Sequence, residues 1–437
     1  MSARRLDGAR PGAEAAAAPA PERALRRIAW PLVGLVAAVP RLVVLLHERG
    51  TILSGNVEKS NLFALTFIHS GTYGFIPGQP SAYTQPLYGW FLVAVYWIFG
   101  RNWLAVGLSQ IVLAAAVAIL VYEIARRLAS TRWAAAAAVV ATLHPYLVWH
   151  DVHVNREIVD QLCAASLVLL TLAVADRPTL WRAGALGLVT GLAMLGNSRL
   201  VFIPILCAVY LAFRVPRPAL VCAFVLAGAA VAVAPWLVRN KVNVGCWTIT
   251  TDGRALWKAN NPQAYPLLSS HQWIDNVSPD SPRPPEPGHL TPDEAHGIYV
   301  RTQGQKVLHP DECLAMSFYE HLAWTWVREH PQEKAKLAGL SEQLFWQPNV
   351  IETGGSSSGF GKQVAEPAYM IALYALAAVG VVLAPRAFVV FALLLFAYQS
   401  AFAAIFVGAT RYRISFDFLL AVLAAAGVAR LVPRLRR

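Results

Sequence analysis

The segment "ATRYRISFDFLLAVLAAAGVARL", residues 409–431, places Arg411 and Arg413 directly before a long apolar run. Such a run is typical of a helix that crosses the hydrocarbon core of a bilayer, which is about 30 Å thick. An arginine at the end of a spanning helix reaches the headgroups, forms an ion pair or binds an anion. The fold and the function therefore depend on which side of the membrane these arginines face and on what they bind.

The composition of the whole chain indicates a membrane protein. Hydrophobic residues make up 56% of the 437 residues and charged residues only 14%, whereas about a quarter of the residues in a soluble domain are charged. The net charge of +12 lies in the gaps between apolar runs and forms no stripe on one polar face, which argues against a nucleic-acid partner. We expect an all-α polytopic membrane protein.

Arginines in the connections between apolar runs predict the topology. Every connection that would be cytoplasmic, starting from a cytoplasmic N-terminus, contains arginine, as the positive-inside rule requires. Both termini are then cytoplasmic, and the polar segments 48–101 (the first outer loop) and 239–365 (the outer domain) face the exoplasmic side. We expect about ten transmembrane helices, near residues 28–47, 104–125, 133–149, 157–175, 183–198, 200–213, 218–237, 366–384, 387–408 and 414–432.

The remaining segments complete the expected organisation. Residues 1–27, rich in Ala, Pro and Arg without periodicity, predict a disordered cytoplasmic tail. The short aromatic run "PLYGWFLVAVYWIFG", residues 86–100, predicts a helix that lies along the outer leaflet. Residues 28–238 would then hold helices 1–7 with a catalytic first outer loop, and 366–437 would hold helices 8–10 and a basic cytoplasmic C-terminus.

Ionisable residues gather on the expected outer face. Arg199, in the tight turn "MLGNSRLVFIP", has no evident anchoring role there. Arginine presents a planar fork of donors to phosphate oxygens and keeps its charge, while carboxylates can remove a proton from an acceptor. Together these groups suit glycosyl transfer from a polyprenyl-phosphate sugar, whose leaving group is already an anion.

Seven motifs follow one another along nearly the whole chain: "NVEKSNLFALTFIHSG", "TQPLYGWFLVAVYWIFG", "YEIARRLA", "HPYLVWHDVHVNRE", "LGNSRLVFIP", "APWLVRNKVNVGCWTITTDGRALWKANNP" and "ATRYRISFDFLLAVLAAAGVARL". In this order they resemble the polyprenyl-phosphate-sugar-dependent glycosyltransferases of the GT-C fold, which include protein O-mannosyltransferases and aminoarabinose transferases of lipid A. The resemblance implies an inverting transferase of the bacterial plasma (inner) membrane. Its acceptor would be a cell-envelope glycan, lipid or protein on the periplasmic or extracellular side.

The resemblance also implies roles for individual residues. The family usually begins its first loop with an aspartate taken as the catalytic base, but that position here is Asn56, which cannot accept a proton. Glu58 is therefore the leading candidate for the base and Asp151 the alternative. We expect the donor phosphate to be bound by Lys59, Arg156, Arg199, Arg239, Arg411 and Arg413, and the sugar or acceptor to be contacted by Gln85, Tyr88 and Glu157.

Two further features concern metals and cysteines. The stretch "WHDVHVNRE" supplies ligand types for a divalent cation but no compact ligand spacing, so a bound cation stays an open alternative and no other cofactor is implied. Cys246 and Cys313 both fall in the outer domain, where an oxidising compartment permits a bridge and no third cysteine competes. We expect a disulfide between them, with two free thiols as the alternative.

Two other functions compete with the transferase. A flippase or transporter of lipid-linked sugars would place charges near the bilayer midplane on broken helices, whereas here the charges gather at one surface. A polymerase resembling the O-antigen ligases would share the outer arginines. It would not require an acidic first loop beside an interfacial helix.

The topology is directly testable. Single cysteines introduced at residues 126–132 should be protected from an impermeant thiol reagent in intact cells and react after the membrane is opened. Labelling of these positions in intact cells would contradict a cytoplasmic location for this loop, and with it the expected placement of both termini.

Overall fold

The structure is a computed structural model that describes residues 20–55, 57–277, 290–349 and 364–435. Within these ranges the chain is helical and has no strand beyond an isolated bridge between Ile76 and Gln79. This confirms the all-α fold class; most of the expected tail and Asn56 lie outside the described residues. The α-helices are α1 Ala20–His47, α2 Ser60–Ser70, α3 Pro86–Phe99, α4 Trp103–Arg126, α5 Thr131–Thr142, α6 Pro145–His150, α7 Glu157–Asp176, α8 Leu180–Gly196, α9 Ile203–Ala212, α10 Pro218–Asn243, α11 Gly253–Ala259, α12 Ala264–Ser269, α13 Pro292–Arg301, α14 Glu312–Glu329, α15 Pro331–Trp346, α16 Glu366–Leu383, α17 Arg386–Ile405, α18 Thr410–Arg413 and α19 Phe418–Leu435.

The expected count of ten spanning helices is not confirmed. Among the described residues six helices are long and apolar enough to cross a bilayer, namely α1, α4, α7, α10, α16 and α17. A seventh is reached if the segment from α18 to α19, which bends by 52°, counts as one span. The expected spans at 133–149, 183–198 and 200–213 correspond to shorter helices. Pro145 interrupts the first of these, because a residue that precedes proline disfavours the helical conformation.

Helix α3 has the properties expected of an interfacial element. Its 14 residues extend over about 21 Å at 1.5 Å per residue, which is short of a bilayer core. Tyr88 and Leu92 are buried against the bundle, whereas Trp97 and Ile98 at its end are exposed. A short apolar helix that is buried along one side only lies on the bundle more readily than it crosses a membrane.

Small residues allow helices α8 and α10 to pack closely. A Cβ added at Gly187 would meet the carbonyl oxygen of Val225 at 2.2 Å, and one added at Gly191 would meet that of Ala229 at 2.7 Å. Such contacts between backbones are the usual means of helix association in lipid, where burial of apolar surface between helices drives little. The turn after α8 is therefore held rigidly against the rest of the bundle.

A buried ion pair joins α1 to the connection between α6 and α7. The Arg41 guanidinium donates to Asp151 Oδ2 over 2.9 and 2.7 Å, and Gln161 donates to Oδ1 over 2.8 Å. Arg41 also donates to the carbonyl oxygen of Thr142. Both charged side chains are buried, and both carboxylate oxygens of Asp151 have partners. The residue expected as the alternative base thus lies in a helix junction with no free oxygen.

The outer domain has a small core of its own. Helices α11, α12, α14 and α15 pack around buried apolar side chains that include Trp257, Tyr319 and Leu337. The Sγ atoms of Cys246 and Cys313 are bonded at 2.11 Å, and the bond joins the segment after α10 to the first turn of α14. Through this link the outer domain is attached covalently next to the end of a spanning helix.

The Arg41–Asp151 pair should be a major contributor to stability. Arg41→Ala leaves Asp151 charged and unpaired in a buried site, so we expect a loss of about 3–5 kcal/mol, measured as a lower thermal midpoint in detergent. Arg27→Ala, on the exposed part of the same helix, is the matched control and should change the midpoint little. The double variant Arg41→Met, Asp151→Leu should regain most of the loss. Equal midpoints for Arg41→Ala and Arg27→Ala would show that the pair does not support the fold.

Candidate active site

Carboxylates and arginines from distant parts of the chain meet at one end of the bundle. We call the set Glu58, Arg156, Glu157, Asp160 and Arg411 the carboxylate–arginine cluster. The backbone amide of Glu58 donates to the carbonyl oxygen of Val154 over 3.1 Å, which attaches the first outer loop to the loop before α7. This attachment brings a residue of the first outer loop to the start of α7, about a hundred residues further along the chain.

Arg156 lies at the centre of the cluster. Its Nε is 3.6 Å from Glu58 Oε1 and 3.8 Å from Asp160 Oδ2, and its Nη1 donates to Gln85 Oε1 over 2.9 Å. Gln85 in turn donates to the Ser198 hydroxyl over 3.2 Å. The guanidinium is thus oriented by three elements, and Gln85, which precedes α3, connects it to the turn that carries Arg199.

A second arginine approaches the cluster from the last helical segment. Arg411 Nη2 donates to Glu157 Oε1 over 2.8 Å, and the Arg411 side chain stays 36% exposed while that of Glu157 is 5% exposed. Tyr412 follows Arg411 in the sequence, and the Arg199 guanidinium lies 3.4 Å from the centre of the Tyr412 ring. Arg411 is therefore a cation that is held in place and is still accessible to an anion.

The start of α7 explains how two carboxylates are accommodated here. Glu157 and Asp160 occupy the first turn of the helix, where negative charge interacts favourably with the helix dipole. Asn197 donates to Asp160 Oδ2 over 3.2 Å, and Gly196 leaves room for this carboxylate, since a Cβ there would meet Oδ1 at 3.0 Å. Asp160 was missed by the sequence analysis, although its position three residues after Glu157 places both on one helix face.

Two carboxylate oxygens of the cluster have no hydrogen-bond partner among the described residues. They are Glu58 Oε2 and Glu157 Oε2, and both atoms are buried. Burial raises the pKa of Glu58 to about 7, against the opposing charge of Arg156. A carboxylate with a free oxygen and a pKa near neutrality has the properties of a general base.

Arg413 lies apart from the cluster, in contrast to the expectation that it binds the donor phosphate. Its guanidinium donates to both oxygens of Asp417, over 2.8 and 3.2 Å, and to the carbonyl oxygen of Phe345. It is fully buried, and its charge lies 5.4 Å from the ring centres of Trp346 and Tyr374. Its donors are used within the protein, so of the two arginines only Arg411 can reach an anion at the cluster.

Three other residues that were expected to contact the donor or the acceptor have partners within the protein. Arg239 donates to the carbonyl oxygens of Tyr73 and Ser81 and so fixes the fold of the first outer loop. The buried hydroxyl of Tyr88 donates to Gln110 over 2.7 Å. Lys59 is exposed and forms an ion pair with Asp293 of the outer domain at 2.8 Å. The contacts of Arg239 and Tyr88 are structural, and the ion pair of Lys59 joins the first outer loop to the outer domain beside the cluster.

The carboxylates of the cluster face arginines, and the histidines of "WHDVHVNRE" stack on aromatic rings. The ring centres of Tyr146 and His150, and of Trp149 and His153, are 3.7 Å apart. Within the described ranges no group of three or more His, Cys, Asp or Glu side chains is arranged to hold a metal ion.

A helical membrane bundle with acidic and arginine side chains at one end is the arrangement implied by the GT-C resemblance. Residues 79–238 match the family model described as dolichyl-phosphate-mannose-protein mannosyltransferase, which supports a glycosyltransferase of GT-C type. The matched segment contains Arg156, Glu157 and Asp160, but neither Glu58 nor Arg411.

Among solved structures, the chain is similar to ArnT from Cupriavidus metallidurans bound to undecaprenyl phosphate. The two share 17% identity over 92% of this chain and 78% of that one, with a TM-score of 0.40. No curated protein matches the sequence.

The placement of Arg413 gives a stability prediction. Arg413→Ala leaves Asp417 buried and unpaired and should cost about 3–5 kcal/mol, seen as a lower thermal midpoint. Arg430→Ala is the matched control on the next helix, because Arg430 donates to the carbonyl oxygen of Ala426 in its own helix and has no carboxylate partner among the described residues. The Arg413→Ala protein that remains folded should bind polyprenyl phosphate as the wild type does. An Arg413→Ala variant that is as stable as the wild type and has lost polyprenyl-phosphate binding would indicate that Arg413 binds the phosphate.

Proposed function

We propose that this protein is an integral-membrane glycosyltransferase that moves a sugar from a polyprenyl-phosphate donor to an acceptor on the extracytoplasmic face. The observation that carries the proposal is the buried Oε2 of Glu58, which has no hydrogen-bond partner in the described part of the chain, beside the charge of Arg156 and with the accessible Arg411 in the same cluster. The description of the matching family names dolichyl-phosphate mannose, a donor of this chemical class. The arginine pattern of the connecting loops supports an exoplasmic site in a bacterial plasma membrane.

The arginines would bind the donor phosphate and stabilise it as it leaves. When the bond between the sugar and the phosphate breaks, negative charge builds up on the phosphate oxygens, so fixed cations stabilise the transition state more than the ground state. Arg156 is already oriented by Gln85 and Asp160. Arg411 is held by Glu157 and has exposed donors to offer the phosphate. Arg199, which lies on the Tyr412 ring, adds a third positive charge nearby.

Glu58 would act as the general base. The acceptor hydroxyl or amine attacks the anomeric carbon, its proton passes to Glu58 Oε2, and the electron pair of the breaking bond goes to the departing phosphate. One displacement of this kind inverts the configuration at the anomeric carbon. Glu58 Oε1, 3.6 Å from Arg156 Nε, keeps the carboxylate attached to the arginine that faces the leaving group. The proposed base and the proposed phosphate site are therefore connected through the contact between Glu58 and Arg156.

The central experiment replaces Glu58 by glutamine, which keeps the shape of the side chain and removes the base. Turnover of a polyprenyl-phosphate sugar should fall about 10²- to 10⁴-fold, while binding of polyprenyl phosphate is retained. In the wild type the rate should rise with pH through about 7, because only the deprotonated form accepts a proton and burial raises the pKa of Glu58 to about 7. The residual activity of Glu58→Gln should lack this dependence.

Glu48→Gln is the matched control, since it makes the same chemical change in the same outer loop and the Glu48 carboxylate accepts a hydrogen bond from the neighbouring Thr51 hydroxyl. Near-wild-type turnover in Glu58→Gln would reject Glu58 as the base. Loss of turnover in a folded Asp151→Asn variant with Glu58→Gln unaffected would move the role to Asp151.

A further inference from the structure

A cavity of about 180 Å³ lies between the first outer loop, the end of α10 and the segment before α14. Its volume is many times the roughly 10–15 Å³ that a single water needs, so it is large enough for a small organic molecule. No residue of the carboxylate–arginine cluster lines it. Its polar lining consists of Gln79, Ser81, Asn243, His309 and Glu312, and Phe75 is among its apolar residues.

The wall formed by the first outer loop is rigid. The amide of Ser81 donates to the carbonyl oxygen of Tyr73 over 2.9 Å, and Arg239 donates to the carbonyl oxygens of both residues. Gly74 packs so closely on the Gln79 backbone that an added Cβ would lie 2.2 Å from its carbonyl oxygen. The Gln79 backbone is therefore held in one place, which lowers the entropic cost of ordering this wall around a ligand.

The opposite wall is equally fixed. Glu312 is buried, and its Oε2 accepts hydrogen bonds from the Ala82 amide over 3.0 Å and the Thr251 hydroxyl over 2.7 Å. The next residue, Cys313, is bonded to Cys246 after the end of α10. The two walls are thus connected to each other by Ala82 and to the bundle by the disulfide.

One polar atom of the lining is not satisfied within the described part of the chain. Gln79 Nε2 is buried and has no hydrogen-bond partner there. A buried amide donor without a partner costs about 1–3 kcal/mol, and a ligand that accepts its hydrogen bond removes that cost. Asn243 and His309 are exposed, so they lie where a ligand would enter.

The lining selects the chemistry of the ligand. The Gln79 amide can donate, and the exposed Asn243 amide can both donate and accept, so a group with several hydroxyls can be matched at these two positions. The negative charge of Glu312 disfavours an anion. Phe75 is among the apolar residues of the lining, and its ring stacks on that of His296.

We propose that this cavity is a saccharide subsite that binds one neutral sugar unit of the acceptor, apart from the carboxylate–arginine cluster. The assignment of that sugar to the acceptor rests on the proposed transferase function. Binding of a neutral sugar to the cavity does not.

The test uses the purified full chain in detergent and a panel of methyl glycosides of neutral hexoses and pentoses, with binding followed by saturation-transfer NMR. At least one glycoside should bind the wild type, and Gln79→Ala should weaken that binding about tenfold or more. Gln272→Ala, the same change at an exposed glutamine of the outer domain, should leave it unchanged. Asn243→Ala, at the exposed mouth of the cavity, gives a second variant that cannot disturb a buried contact.

Two further arms separate this proposal from the transferase. Gln79→Ala should bind polyprenyl phosphate normally, whereas Glu58→Gln should bind the glycoside normally. Absence of glycoside binding to the wild type, or binding that survives both Gln79→Ala and Asn243→Ala, would overturn the subsite. Normal transfer by Glu58→Gln together with Gln79-dependent glycoside binding would reject the proposed catalytic base and support the subsite.

Discussion

Three carboxylates packed into one partly buried space must be balanced by positive charge, because each would otherwise lose its hydration without compensation. Here Glu58, Glu157 and Asp160 are balanced by Arg156 and Arg411. The balance is incomplete, because one oxygen of Glu58 and one of Glu157 have no hydrogen-bond partner in the described chain. In the proposed function, Arg411 exchanges the Glu157 carboxylate for the donor phosphate, and Glu58 takes up a proton.

The helices supply this geometry through their ends. Helix α7 has Glu157 and Asp160 in its first turn, and α3 begins just after Gln85. Arg199 lies in the turn after α8, a helix that packs closely on α10 through its glycines. The first outer loop is attached to the start of α7 by a backbone hydrogen bond and to the outer domain by Lys59 and Asp293. Because these attachments come from elements far apart in sequence, the cluster depends on the whole bundle, including the buried pair of Arg41 and Asp151.

Hydrophobicity and length were sufficient to predict the long helices, since a run such as Trp103–Arg126 has few other stable conformations in a membrane. They were insufficient at residues 133–149, where an apolar stretch contains a proline break. Arg411 and Arg413 could not be told apart from sequence, although two residues turn a helix by about 200° and so send the side chains to opposite sides. Asp160 was overlooked because it lies inside an apolar run, and its role becomes visible only when Arg156 and Asn197 are placed beside it.

We propose that the donor phosphate binds at the carboxylate–arginine cluster. A cryo-electron microscopy map of the protein with a polyprenyl phosphate would show where the phosphate lies. We expect phosphate density in contact with Arg411 and Arg156, with the 2.8 Å contact between Arg411 and Glu157 lengthened or broken. Glu58 should face the phosphate across a space that fits one sugar ring. Density for the phosphate against Arg239 or Lys59, with the contact between Arg411 and Glu157 intact, would contradict the proposal.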